Sequence, residues 1–171
     1  MAKSIEEPSY ETIATVDDVE IRHYAPMIQA VTPLSADSDS GFSRLAGYIF
    51  RGNDNDQSIA MTAPVQQTVG AAAAEMAFMM PSRYSFDSLP TPDDDRVQLK
   101  QVAARTVAVI GFSGWATRDR VRRYTEQLTA TLQEHAIEAY GSVLLNQYNP
   151  PWTVPFRRRN EVLLEVDWPQ Q

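Results

Sequence analysis

Val19, Ile21 and His23 alternate with Glu20, Arg22 and Tyr24, and a period of two over six residues predicts a strand with one apolar face. Tyr10 to Thr15 before it and Met27 to Thr32 after it also read as extended. Pro26 and Pro33 bracket the latter, which points to an edge strand or a bulge. Beyond a polar turn, Ser35 to Gly41, the period lengthens. Phe42, Leu45, Ala46, Ile49 and Phe50 fall at helical spacing and predict a helix over 42–50 with one apolar face, ended by Gly52-Asn53-Asp54-Asn55-Asp56. Ile59 to Gln66 and Glu75 to Met80 then read as a strand pair joined by an alanine-rich connection.

Pro81 to Asp95, rich in proline and aspartate, reads as a loop, after which the pattern starts again. Val97 to Val102 and Thr106 to Ser113 are strands, the second buried around Val107, Val109 and Ile110. Val121, Tyr124, Leu128 and Leu132 mark the stripe of a longer helix over 118–135, with Thr117 as N-cap. Ser142 to Tyr148 and Arg159 to Asp167 complete the set. Residue matches support a repeat. Val19-Glu20-Ile21-Arg22 recurs as Val97-Gln98-Leu99-Lys100, and Ala30-Val31 recurs as Ala108-Val109 at the same offset. Pro64 answers Pro151, and Glu75 answers Glu161. The expectation is an α+β fold of two pseudo-symmetric β-α-β-β repeats, about 10–81 and 96–168 around a loop at 82–95. They would form a distorted barrel or saddle sheet with two helices on one side. The cleft between such copies is a natural ligand site.

Composition changes the picture in a few places. The 171 residues, 43% hydrophobic, suffice for one core, so a single domain over 1–171 is expected. A net charge of −7 argues against a nucleic-acid partner. The chain contains no cysteine, which excludes disulfides and thiolate chemistry. The first residues lack the apolar core of a signal peptide, and no apolar run is long enough to span a membrane. A cytoplasmic location is the resulting expectation.

Candidate chemistry is sparse, with no phosphate loop, nucleophile elbow or histidine pair. His23 shares the Val19/Ile21 face, which predicts partial burial, and reads either as an axial ligand to a haem iron or as a satisfied or edge-exposed histidine. His135 suits a helix C-terminus. Met61, Met76, Met79 and Met80 cluster in the first copy, as core or as soft ligand contacts. Arg157-Arg158-Arg159 reads as an anion grip or as a solvated turn. Glu161, beside Tyr148 and Trp152, reads as a general base or cation partner in the cleft, or as a surface glutamate on an open sheet face.

Several segments together resemble a known family. They are Glu7-Pro8-Ser9-Tyr10, Val19 through Pro26, Phe42 through Ile49, Ile59 through Val65, Met80-Pro81, Tyr148 through Thr153, and Arg158 through Val162. Across almost the whole chain and in order, they are similar to the SOUL haem-binding proteins, most specifically in Met61-Thr62-Ala63-Pro64-Val65 and Tyr148-Asn149-Pro150-Pro151-Trp152-Thr153. The resemblance implies a small amphipathic ligand, haem or another porphyrin, carried without catalysis on an apolar surface near the first helix. Phe42, Leu45, Ala46 and Ile49 would then meet the macrocycle, with Arg44 and Arg51 within reach of its propionates. The fold also resembles gyrase-inhibitor-like effector domains, some relatives of which are hydrolases. That likeness implies an alternative site in the groove between repeats, built from Met61, Tyr148, Trp152, Arg158 and Glu161.

Overall fold

A computed structural model describes residues 4–35, 40–70 and 72–169. Nine strands and two α-helices follow in the order β1 (Tyr10–Val16), β2 (Val19–Tyr24), β3 (Met27–Pro33), α1 (Ser40–Ile49), β4 (Val65–Val69), β5 (Glu75–Met79), β6 (Gln98–Val102), β7 (Arg105–Phe112), α2 (Arg118–Glu134), β8 (Glu138–Gln147) and β9 (Asn160–Asp167). Every strand pairing is antiparallel, in one sheet ordered β1-β2-β7-β9-β8-β4-β5-β3-β6.

That order carries the repeat. β7-β9-β8 on one side of the sheet centre mirrors β3-β5-β4 on the other, with the β4–β8 pairing between them. The first strand of each copy is exchanged: β2 pairs with β7 of the second copy, and its equivalent β6 pairs with β3 of the first. Each half-sheet is therefore completed by the other copy. Of the two expected forms, barrel or saddle, the sheet takes the open one, because β1 and β6 end the strand order.

The helices share one face. α2 covers the core of Val19, Ile21, Ala108, Ile110, Leu128, Leu145, Val162 and Leu164. Its Thr117 cap is as expected, with the side chain accepting from the Arg120 N–H. α1 packs through Leu45, Tyr48 and Ile49 on Ala30, Phe78 and Met80. The opposite, concave face holds a third cluster of Tyr24, Val107, Val109 and Leu163. Both faces of the central strands are consequently buried.

Three expectations change. β3 is no edge, since β5 and β6 flank it; its prolines stand at or beyond its ends, where no ladder donor is needed. Residues 59–64 do not form a strand. Their backbone takes other partners, with Ile59 N–H donating to Ile49 O and Ala63 N–H to Glu6 O, and the Ala63–Pro64 peptide is cis. His23 is not partly buried but exposed, the other of its two non-ligand readings, because the core packed under α2 stops at Ile21. The turn expected over 35–41 falls largely outside the described residues.

Candidate functional site

Helix α1 turns one face inward and leaves another open. Leu45 and Ile49 serve the core, as does Tyr48, whose hydroxyl donates to Pro90 O at 2.7 Å. Four-residue spacing puts Phe42, Ala46 and Phe50 along one ridge of the helix and its cap. Phe42 is 46% exposed and packs edge-on against Phe78 at 5.4 Å, while Phe50 is 65% exposed. An apolar row thus faces solvent where Leu45 and Ile49 do not.

The end of α1 explains how its basic group is presented. Gly52 N–H donates to Gly47 O at 2.8 Å, the six-to-one bond of a Schellman cap, which places Arg51 at the left-handed position with φ 77°. Glycine is the usual residue there, since a Cβ costs about 1 kcal/mol or more in this conformation. Gly52 itself allows no Cβ, which would sit 2.4 Å from Gly47 O. Buried Asn53 holds the following loop, donating to Tyr48 O and Gln57 O and accepting from Asn55 and Gln57 N–H. Arg51 is thereby held outward, and among the described residues its one ion pair is a 3.8 Å contact with exposed Asp56. Arg44 differs: its Nε donates to Thr32 Oγ1 at 2.8 Å and its Nη2 to Pro33 O, which ties it to β3.

On the concave face Glu161 is 2% exposed and not a surface glutamate. Arg22 Nη2 lies 2.8 Å and Arg159 Nη2 3.4 Å from its Oε2, and the Tyr148 hydroxyl donates to its Oε1. Arg22 is shared further with Glu20 at 2.9 Å, and Arg159 with Glu7 at 2.8 Å. Burial opposes the Arg22 charge, yet the hydrogen bonds to Glu161 and Glu20 hold it protonated well above the ordinary guanidinium value. Burial, then the Glu161 charge, push the Tyr148 phenol far up. Two cations and a hydroxyl thus already saturate this carboxylate.

The remaining candidates separate. Trp152 is 83% exposed and Met61 packs partly buried against the α1 core, so neither joins Glu161 in these contacts. Arg158 is buried, and its Nη1 donates to Pro150 O, Pro151 O and Thr153 O at 3.2, 3.3 and 3.2 Å, with its guanidinium over the Trp115 ring. It shapes a turn. Met79 and Met80 are buried, and Met76 is partly so. Glu75, the repeat partner of Glu161, is partly exposed and paired with Lys100 at 3.2 Å. His23 Nδ1 lies 3.1 Å from Thr106 Oγ1, and His135 Nε2 lies 3.0 Å from Asp17.

The sequence reading did not single out Phe50 as an exposed site residue, and it gave no site role to Arg22 or Arg105. Period-two alternation did hold the signal, placing Arg22 with Tyr24, and Arg105 with Val107 and Val109, on the faces away from the α2 core.

Two comparisons with relatives agree on what the chain resembles. It is 28% identical over 181 residues to Heme-binding protein 2 of Mus musculus, covering 95% of this chain and 86% of that one. It is 30% identical over 158 residues to Heme-binding protein 2 of Homo sapiens, covering 79% and 77%. Among solved structures, the fold matches an uncharacterized conserved protein from Listeria innocua with a TM-score of 0.67 at 10% identity, over 88% of this chain and 92% of that one. The family model described as SOUL heme-binding protein matches residues 5–165, and the chain belongs to that family.

Proposed function

We propose that this protein binds and carries haem or another tetrapyrrole on the outer face of α1, without chemical turnover. The observation that carries the reading is the solvent-facing row Phe42, Ala46 and Phe50 beside a helix whose other large apolar residues are buried. A flat macrocycle laid over this row removes both phenyl rings from water, worth about 25 cal/mol per Å² of apolar area. Arg51, held outward by the cap, meets a propionate through a charge-assisted hydrogen bond. Family membership and the names of the mouse and human relatives point to the same ligand class. No histidine occurs within α1, so affinity rests on the macrocycle rather than on the iron.

Titration of the purified protein with hemin and, separately, with iron-free protoporphyrin IX tests this. Saturable binding of both is expected, weakened roughly tenfold by Phe42→Ala and by Phe50→Ala. Unchanged affinity in both variants would remove the α1 site. A sharpened Soret band for hemin that disappears in His23→Ala would instead assign that histidine to the iron.

The groove reading, with Glu161 as base or cation partner, has less support. Both carboxylate oxygens are already engaged, and Arg22 and Arg159 repel a cationic ligand.

A further inference from the structure

Arg105 opens β7 on the concave face, opposite Tyr24. It is partly buried, and among the described residues its shielded Nε has no hydrogen-bond partner and no ion pair reaches it. Burial weakens its hold on the proton, opposed only by the field of Glu165 and Tyr24. Glu165 itself accepts from Tyr140. A guanidinium taken from water without a counter-ion is costly in a fold this size. Elsewhere on this face the cations are matched: Arg22 has Glu20 and Glu161, and Arg159 has Glu7 and Glu161.

The surroundings of Arg105 form a site. A small inner cavity of about 20 Å³ lies against it, walled by Tyr24, Leu163 and the amides of Gln29, Gln66 and Asn146. These amides are linked, Gln29 Nε2 donating to Gln66 Oε1 at 3.2 Å and Gln66 Nε2 to Asn146 Oδ1 at 2.9 Å. Room on this scale holds one water or a single polar atom of a ligand. Pro8, Met27 and Met79 form part of this cavity and also part of a second, open cleft of about 680 Å³. Ile28, Met80, Phe86 and Val102 contribute apolar walls to that cleft. Its size suits a drug-sized or acyl ligand, and the methionines adapt to an irregular apolar shape. Glu6 and Glu7 stand at its wall and disfavour a second negative charge.

We propose that the concave face is a binding site for an amphipathic monocarboxylate of the fatty-acid class, its carboxylate on Arg105 and its chain in the adjoining cleft. This ligand is opposite in charge to the cation that Glu161 would attract, and its site is separate from the α1 surface.

Calorimetric titration of the full chain with decanoate tests it, with 1-decanol and decyltrimethylammonium as controls. Saturable single-site binding of decanoate is expected, at least about tenfold tighter than either control. Arg105→Met should lose about tenfold or more in decanoate affinity while its melting temperature holds or rises, because an unpaired, partly buried charge is removed. Absence of saturable decanoate binding, equal binding of the alcohol, or parental affinity in Arg105→Met would each overturn the proposal. Should that variant fail to fold, methyl NMR of the parent decides. Decanoate is expected to shift Met27 and Met79, and unmoved signals refute the site. Hemin affinity is expected to be the same with and without saturating decanoate; loss of hemin binding alone would touch only the α1 reading.

Discussion

Arg22 and Glu161 meet at 2.8 Å with 5% and 3% of their side chains exposed, joining β2 to β9 across the intervening β7. Removing one member of such a pair leaves the other buried and uncompensated, a loss of about 3–5 kcal/mol. Glu20 remains on Arg22 at 2.9 Å, so Glu161→Gln is expected near the lower end. For a chain of this length that corresponds to a fall in melting temperature of roughly 6–12 °C. The double variant Arg22→Met/Glu161→Leu should melt above Glu161→Gln. Thermal unfolding of Glu161→Gln that matches the parent would mean the pair is solvated.

Three tyrosines, two of them beside this pair and Tyr48 in the α1 core, set the alkaline limit. Tyr148 is pushed up by burial and the Glu161 charge, Tyr24 is raised by burial, and burial carries Tyr48 to about 12. In each, the folded-state value lies above the unfolded value near 10. Their stabilisation is therefore complete below about pH 10 and is lost as pH climbs through the folded values, where the unfolded chain binds fewer protons. Absorbance at the phenolate band should show these tyrosines ionising late, together with unfolding. Tyr148→Phe should shallow the alkaline decline in stability; an identical decline would assign it to other groups.

Arg51 offers a trade between stability and binding. Arg51→Gly removes a Cβ from the left-handed cap position and should stabilise α1 by about 1 kcal/mol, or roughly 2–4 °C in melting temperature. The same change should weaken porphyrin binding several-fold by deleting the propionate partner. Asp56→Asn should strengthen it, since Asp56 competes for the guanidinium at 3.8 Å. A higher melting temperature with intact porphyrin affinity in Arg51→Gly would show that the strain serves something other than this ligand.

How far the sequence reached follows from what periodicity encodes. The Ala30-Val31 and Ala108-Val109 match lies on β3 and β7, which occupy mirror positions in the sheet. The Thr117 cap and the α2 stripe are local, and local signals survived intact. The exchange of β2 and β6 was not legible, because alternation gives each strand its faces and not its neighbours. Glu161 shows the same limit. Period two puts it on one face with Leu163 and Glu165, but only the saddle's curvature decides that this face is covered near Glu161 and Leu163 and open toward Glu165. The strand expected from Ile59 begins only at Val65, since Pro64 offers no ladder donor and Thr62 turns its hydroxyl to Met79 O.

Arg158 separates the two readings of the arginine run. A cation that grips a ligand would tolerate lysine in part, whereas this one is a planar group stacked 4.6 Å over Trp115 while its Nη1 serves three carbonyls of one turn. Lysine matches the charge but neither the stacking nor the fork. Arg158→Lys should therefore lower stability by about 1–3 kcal/mol and expose the 149–157 segment to limited proteolysis, with hemin and decanoate affinities unchanged where the fold persists. Neighbouring Arg157, which lies over the exposed Phe156 ring, should accept alanine within about 0.5 kcal/mol. Equal protease resistance in Arg158→Lys and the parent would show that the turn holds itself, through Thr153 N–H donating to Pro150 O and Arg159 N–H donating to Asn149 Oδ1, without the guanidinium.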